Sequence, residues 1–510
     1  MQTKVKVKCV SKKESQSYNK ENPGCSRQTR LPRRRQHVEL LHYGAAGIAR
    51  RQEPGLSFAQ RARMGWAYGK CRIKDGTLPS DIAHLPRVKG KNVAGDTAPH
   101  ELDYSIARGD RDSLVVDELA FSRLILAARD MSRVSGYTHN FYKYPARFSP
   151  KFVRAAIETF TLPGDMVFDP FMGGGTTLVE ALALGRSALG TDISSLAGFI
   201  AEAKTTLYTE TELEKLSQWI KDLERGINMH HTGVHFADYA DMGYYRHLNK
   251  GSTWRLRKAI EQAIGTAVEL CNKKLEMFAR CAVLRTAQWA LDARKKLPSV
   301  TAFRDALADY GKQMIDGARE LRQAVELHGP LRPQITCLHR PIAGAETDPE
   351  ILRRPKPRLV LTSPPYPGIH MLYHRWQVDG RKESPAPFWI ANKLDGAGSS
   401  YYTMGDRKAA ELWTYFAQLQ EALKSVLAIC DTNTTIIQVI AFSEPSWQLP
   451  RYLEVNRAAG LQELHPPLLE DERDGRLWRQ VPNRRWHSDQ RGETPASQEV
   501  VLFFRPVGVT

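Results

Sequence analysis

The chain has 510 residues, 42% hydrophobic and 25% charged, which is the usage of ordinary soluble globular proteins. At roughly 100 to 200 residues per domain there is room for two to four domains, so a sizeable core forms without disulfide or metal staples. No stretch approaches the ~18 consecutive apolar residues of a membrane span, and Met1 to Val10 lacks the apolar run and small-residue cleavage site of a secretory signal. A cytoplasmic protein with no membrane partner is expected.

Seven cysteines, Cys9, Cys25, Cys71, Cys271, Cys281, Cys337 and Cys430, stand at scattered spacings with no CxxC pair. That pattern fits neither a disulfide framework nor a zinc ribbon and reads as reduced thiols. The net charge is +17, and most of it sits in front: residues 1–100 hold 21 Lys and Arg against 7 Asp and Glu. This segment, with Lys12, Lys13 and the triplet Arg33, Arg34 and Arg35, is rich in Gly, Pro, Ser and Gln. It reads as a flexible basic extension over 1–110, either a non-specific phosphate tether or a solvated tail.

Order is predicted to begin near Leu114 to Ser132, where Leu119, Phe121, Leu124 and Ile125 recur at helical spacing. A helix follows over Phe152 to Phe160, then a turn at Pro163-Gly164 and a short buried strand, Met166 to Phe168. That strand runs into Asp169-Pro170-Phe171-Met172-Gly173-Gly174-Gly175-Thr176-Thr177. A helix carrying Leu178, Ala181, Leu182 and Leu184 stops at Gly185; a second strand, Ser187 to Gly190, ends in Asp192; another helix spans Ser194 to Lys204. This is a βαβ unit with a glycine-rich first turn.

Such a turn brings bare backbone N–H groups and a helix N-terminus to a ligand, and an acid at the end of the next strand suits ribose hydroxyls. The unit departs from the dinucleotide fingerprint, because Leu178 stands where the last glycine belongs, and from the P-loop, because no Lys follows the glycines. A nucleoside without a polyphosphate is the better match; the bland alternative is a tight turn with no ligand.

A second apolar strand, Arg358 to Leu361, ends in Thr362-Ser363-Pro364-Pro365-Tyr366. Two prolines exclude helix and favour extended geometry, which leaves local carbonyls available as acceptors. If the two strands are the adjacent first and fourth of an open α/β sheet, both loops face one crevice beyond the strands' carboxyl ends.

With these motifs the chain resembles the S-adenosylmethionine-dependent DNA amino-methyltransferases, which methylate exocyclic nitrogens of cytosine or adenine. The segment Asp169 to Thr176 is similar to the family's cofactor loop, Ser363 to Tyr366 to its catalytic loop, and Tyr144-Pro145-Ala146-Arg147-Phe148 to its upstream cofactor segment. The resemblance covers residues 137–205 and 333–510. It implies a Rossmann-like class I methyltransferase fold, an α/β doubly wound sheet with a helical insert, and S-adenosyl-L-methionine as cofactor. Cofactor contacts carry over to Tyr144, Pro145, Asp169, Pro170, Phe171, Gly173, Gly175, Thr176 and, for the ribose, Asp192. Catalytic roles carry over to Ser363, Pro364, Pro365 and Tyr366. Ser rather than Asp at the head of the catalytic loop favours cytosine N4 as acceptor.

The chemistry is consistent with these residues. An aromatic amine is a poor nucleophile, yet a sulfonium methyl is activated enough for positioning to supply much of the remainder. Ser363 Oγ and the Pro364 carbonyl would accept from the amino group, and Tyr366 would stack on the base, a contact worth on the order of 1 to 3 kcal/mol that helps offset base extrusion. No Pro-Cys dipeptide is present for C5 chemistry.

Residues 205–332 separate 111–204 and 333–510, the two parts of the catalytic domain, and read as helical: Glu212 to Ile227, a long run from Trp254 to Lys296, and Ala302 to Leu327. The insert is expected to have its own small core, with Leu256, Ile260 and Ile264 on one face, and stands where one permuted subgroup of the family carries target recognition. Its Arg255, Arg257, Lys258, Lys273 and Lys274 are candidates for phosphates or for a solvated face. Beyond the catalytic loop, His370 and His374 have a chelating spacing, but Met371 replaces the Glu of a zincin and no third ligand is evident, so no metal is expected. Tyr373, Arg375 and Trp376 are candidates to flank an extruded base or the DNA backbone. Thr434 to Phe442 reads as the fifth strand, and Val481 to Trp486 with Glu499 to Arg505 as a closing pair in which Asn483, Arg484 and Arg485 face DNA or make a polar turn.

The expectation is therefore a DNA cytosine-N4 methyltransferase acting on double-stranded DNA, with a restriction or phage-defence partner where the family uses one. Adenine N6 is the nearest alternative, and a non-catalytic nucleic-acid-binding protein of the same fold is the alternative of a different class. Methylation of a protein amide is a third, disfavoured because Asn usually stands in place of Ser363 there.

Overall fold

The computed structural model describes residues 117–144, 147–231, 236–368, 375–380, 382–393, 404–405, 409–480 and 498–507. The basic front segment, Pro145, His370, Tyr373, His374, Asn483, Arg484 and Arg485 lie outside the described residues.

Helix α1 (Glu118–Arg129) starts at Asp117, whose carboxylate accepts from Leu119 N at 2.9 Å, an ordinary N-cap. Helix α2 (Pro150–Phe160) follows, with proline in its first turn. The predicted βαβ unit is present as β1 (Met166–Asp169), α3 (Thr176–Ala183), β2 (Ser187–Asp192) and α4 (Ser195–Thr205). Next come α5 (Glu210–Gly226), the short α6 (Ala237–Asp241), α7 (Trp254–Val268), α8 (Lys273–Leu291) and α9 (Val300–Glu326). The sheet resumes with β3 (Ile335–His339), and a one-turn helix α10 (Pro349–Leu352) leads to β4 (Leu359–Thr362). A small hairpin, β5 (Trp376–Val378) and β6 (Lys382–Ser384), precedes α11 (Ala386–Ile390) and α12 (Trp413–Ile429). Strand β7 (Thr435–Ile440), α13 (Pro445–Ala459) and strands β8 (Leu461–Leu464), β9 (Leu477–Gln480) and β10 (Gln498–Pro506) complete the chain.

The main sheet has the order β3-β2-β1-β4-β7-β10-β8, with β9 added on β10. Strands β3 to β7 in that order are parallel, and β10 runs antiparallel to both β7 and β8. Alternation sorts the side chains onto two buried faces. Met166, Phe168, Val360, Ile436 and Ile440 pack under α12 and α13, while Val167, Leu359, Leu361, Ile437 and Val439 pack under α1, α2 and α3. Burial on both sides accounts for the continuous apolar runs of the strands. This is a Rossmann-like methyltransferase fold. The chain reverses direction across the sheet between β1 and β4, as expected, and both loops leave the carboxyl ends of those strands.

The insert differs from the sequence reading in two ways. The run from Trp254 to Lys296 is two helices, broken where Cys271 takes a φ of 48° and the Asn272 side chain accepts from Lys274 N and Leu275 N; a left-handed residue followed by an N-cap ends one helix and starts the next. Nor is its core separate. The apolar faces of α5, α7, α8 and α9 form one cluster with Leu196, Phe199 and Ile200 of α4, with Phe141, Tyr142 and Tyr144, and with Trp376, Phe388 and Trp389. Amphipathic spacing shows that a helix has an apolar face, not which distant segment covers it.

Two further candidates move for the same reason. Trp376, expected beside an extruded base or the DNA backbone, is 2% exposed and its Nε1 donates to Tyr142 OH at 3.0 Å; Arg375 is likewise buried. Of the basic residues proposed for phosphates, Arg257 pairs with Glu261 at 2.6 Å, Lys274 with Glu212 at 2.5 Å, and Lys258 donates to the Met229 carbonyl at 2.9 Å. Arg255 lies over the Trp254 ring at 5.0 Å. Among the described residues, no helix is long and apolar enough to cross a membrane.

Candidate active site

The glycine loop turns sharply out of β1. Gly173 and Gly175 take φ of 44° and 70°, left-handed values that suit glycine, and Gly175 is the residue from which α3 begins. Gly174 is required for a different reason: a Cβ there would lie 2.8 Å from Cβ of Tyr144, whose ring lies against the loop. Lys204, wholly buried at the end of α4, donates from Nζ to the Gly174 carbonyl at 2.7 Å. Its ammonium has no carboxylate contact among the described residues, and burial, with Arg147 nearby, brings it down to about 7.

The insert holds Tyr144 from the other side. Gln288 of α8 donates to the Lys143 carbonyl at 2.9 Å and accepts from Lys143 N at 3.2 Å, pairing with the backbone as a neighbouring strand would. Its signal in the sequence was nil, since a single glutamine on a predicted helix has no mark of this role.

Two carboxylates line the pocket. Asp192 Oδ2 accepts from Gly173 N at 3.0 Å and its Oδ1 from Ser194 N at 2.9 Å, so the acid at the end of β2 reaches across to the glycine loop. Asp169 Oδ1 accepts from Thr362 Oγ1 at 2.8 Å and from Phe171 N at 3.2 Å. The Asp169–Thr362 bond joins the ends of β1 and β4, and with them the bases of both loops. Burial raises each carboxyl to about 6, against the lowering effect of these hydrogen bonds.

In the loop that follows β4, Ser363 Oγ donates to Tyr366 OH at 3.1 Å, and Tyr366 OH donates to Glu499 Oε1 at 2.6 Å. Glu499, on β10, is held by Arg479 of β9, whose Nε and Nη2 both donate to Oε2 at 2.9 and 2.7 Å. The Pro365 carbonyl accepts from Tyr415 OH of α12 at 2.7 Å. Glu499, Arg479 and Tyr415 were missed by sequence reasoning because each is more than forty residues from the motif it supports.

A single cavity of about 370 Å³ joins the two loops. Its lining includes Tyr144, Asp169, Pro170, Phe171, Gly173, Thr176 and Asp192 from the predicted cofactor set, and Ser363, Pro365 and Tyr366 from the predicted catalytic set. Pro364 and Gly175 are not in the lining; Pro364 is buried, and Gly175 packs where a Cβ would meet Ala201 at 2.9 Å. Lining residues not singled out beforehand include Ile193, Arg340 to Ala343, Gln418 and Glu421. The first two groups follow the carboxyl ends of β2 and β3, where the fold would have pointed; the last two, on α12, had no local signal. Among the described residues no three His, Cys, Asp or Glu side chains gather as metal ligands.

Fold and cavity together define the class: a Rossmann-like methyltransferase fold with a nucleoside-sized pocket at its switch point. Residues 11–201 match the N6_N4_Mtase family model, described as DNA methylase, a span that includes the glycine loop and Asp192. The Type II methyltransferase M.MvaI of Kocuria varians is 41% identical over 103 residues, 19% of this chain and 22% of that protein. The Type II methyltransferase M.MjaII of Methanocaldococcus jannaschii is 33% identical over 99 residues, 19% of this chain and 18% of that protein. The chain thus spans about a fifth of the length of these relatives. Among solved structures, the rRNA methyltransferase aviRa of Streptomyces viridochromogenes aligns at 10% identity over 72% of this chain and 89% of that one, with a TM-score of 0.29, too low a likeness to inform the fold.

Proposed function

We propose that this protein is a DNA methyltransferase that transfers a methyl group from S-adenosylmethionine to the exocyclic N4 of cytosine in double-stranded DNA. The observation that carries the reading is the single cavity running from the glycine loop to Ser363. The residues present fit the cofactor: Asp192 offers acceptors for ribose hydroxyls, Asp169 offers a negative charge toward a cationic methionine end, and Phe171, Ile193 and Ile342 supply apolar walls for a base. When bound, S-adenosylmethionine supplies a methyl group made electrophilic by its sulfonium.

The chain's own contribution is positioning and polarity. Ser363, which lines the cavity, accepts an N–H bond from the target amine and draws its lone pair toward transfer, while the buried Pro364 fixes the loop's extended course. Tyr366, anchored through its hydroxyl, supplies a ring for the extruded base. Serine at this position supports cytosine over adenine, and the insert is assigned to target recognition by its place between the two loops.

Tritiated-methyl cofactor offered separately to DNA, RNA and protein tests the acceptor class. Label in DNA alone is expected; label confined to RNA or protein overturns the reading.

A further inference from the structure

Four side chains run from the cavity into the sheet: Ser363, Tyr366, Glu499 and Arg479. Their order carries information that distances alone do not. An ionised carboxylate only accepts hydrogen bonds. Both Arg479 bonds go to Glu499 Oε2, so the oxygen facing Tyr366 is Oε1, and the tyrosine hydroxyl must donate to it. Its oxygen is then the acceptor for Ser363 Oγ–H. With the serine proton committed inward, Ser363 turns lone pairs, not a hydrogen, toward the cavity it lines. The buried ion pair thus sets the sign of a hydrogen bond made two residues away.

Resting on the functional reading above, we infer that Glu499 is the polarity-setting residue of the catalytic loop and the terminal acceptor of the proton that the target amine must lose. The step balances as follows. The amine lone pair forms the N–C bond to the methyl carbon while the S–C bond breaks and its electron pair stays on sulfur, leaving a neutral thioether and a cationic, N-methylated amine. That amine gives its proton to Ser363 Oγ as Ser363 passes its own to Tyr366 and Tyr366 passes its own to Glu499 Oε1. A cationic amine on an electron-poor ring is a strong acid, so even a carboxylate paired with arginine is base enough. After the methylated base leaves, the same chain returns the proton to water through the cavity.

The isosteric Glu499→Gln variant inverts the chain. Arg479 requires an acceptor at the Oε2 position, which places the amide NH₂ against Tyr366. Tyr366 then donates to Ser363, and Ser363 donates into the cavity. Glu499→Gln is expected to lower the single-turnover methyl-transfer rate on the order of 10- to 100-fold while S-adenosylmethionine affinity stays close to wild type; the thermal midpoint falls, because the buried Arg479 guanidinium loses its counter-ion. Tyr366→Phe cuts the same chain, so the double variant is expected to lose no more than the worse single one.

Binding gives a readout without turnover. With S-adenosylhomocysteine present, wild type is expected to prefer a duplex bearing the target cytosine, identified from its own methylation, over the same duplex with uracil there. Glu499→Gln should lose or reverse that preference, because uracil presents an acceptor. Undiminished transfer and an unchanged cytosine preference in the variant overturn this inference alone. Fully additive losses in the double variant also overturn it, as they would mean separate structural roles. Wild-type protein that methylates no DNA overturns the functional reading, and this inference with it.

Discussion

The two loops that meet in the cavity are built in opposite ways. The glycine loop is local: its sharp geometry comes from Gly173 and Gly175 themselves, and its immediate covers, Tyr144 and Lys204, lie within about thirty residues of it. The loop from Ser363 to Tyr366 is held from afar, by Tyr415 on a helix and by Glu499 and Arg479 on the antiparallel strands at the other end of the sheet. A loop that must approach a ligand with its backbone specifies itself through glycine, whereas one that must present a hydroxyl with a defined polarity draws on groups that only the complete sheet brings near. Asp169–Thr362 ties the two loop bases directly.

That contrast predicts separable defects. Ser363→Ala removes the acceptor and leaves the cofactor end untouched; the single-turnover rate is expected to fall about 100-fold, with cofactor affinity unchanged by calorimetry. Equal loss of both would make the serine structural and erase the distinction. Gly174→Ala is the converse. Its Cβ meets Tyr144 at 2.8 Å, and overpacking of about 1 to 3 kcal/mol should weaken cofactor affinity roughly tenfold or more with little effect on the transfer rate at saturating cofactor.

The pH dependence of cofactor binding sharpens the comparison further. Asp169 and Asp192 are both raised to about 6, so each is increasingly protonated in the free protein below that pH. If a cationic ligand needs them ionised, affinity should tighten as pH rises toward 6, by about tenfold per unit for each carboxylate that must lose a proton, and level off above it. The same shifts mean that the folded state holds more protons than the unfolded chain between about pH 4 and 6, so these two groups' contribution to stability declines as pH rises through that window. A cofactor titration series from pH 5 to 8 reads the first, and denaturant midpoints the second. Asp192→Asn should remove one carboxylate's share of each dependence and leave that of Asp169.

The smallest expected effect is that of Gln288→Ala, which frees the Lys143 backbone from the insert. Loss of these bonds, at about 1 kcal/mol, should weaken cofactor binding about fivefold, although Gln288 belongs to a helix outside the sheet. No change in affinity would mean that Tyr144 is positioned without the insert.

Legibility in the sequence followed the same division. The βαβ unit, the two loops and their meeting at the first and fourth strands were readable because each is a short pattern with a mechanical meaning: glycines where φ is positive, apolar runs where a parallel strand is buried on both faces, prolines where a strand ends. Asp192 was legible as the acid closing β2. Trp376 was misassigned because an aromatic beside a catalytic motif looks like a base-stacking residue, while its actual partner, Tyr142, is more than 230 residues away in the chain. The break at Cys271 was hidden by uninterrupted apolar periodicity on either side. Glu499 and Arg479 sit in strands whose pairing alone gives them meaning, and no local pattern could link them to Ser363.

The most direct test of the central claim, that the cavity between these loops delivers a methyl group to an amine held by Ser363, is nucleoside mass spectrometry of unmethylated genomic DNA after incubation with the purified protein and cofactor carrying a labelled methyl. The account predicts labelled N4-methylcytosine. Labelled N6-methyladenine in its place would contradict the base assignment, and no labelled nucleoside, with cofactor shown to bind, would contradict DNA as the acceptor.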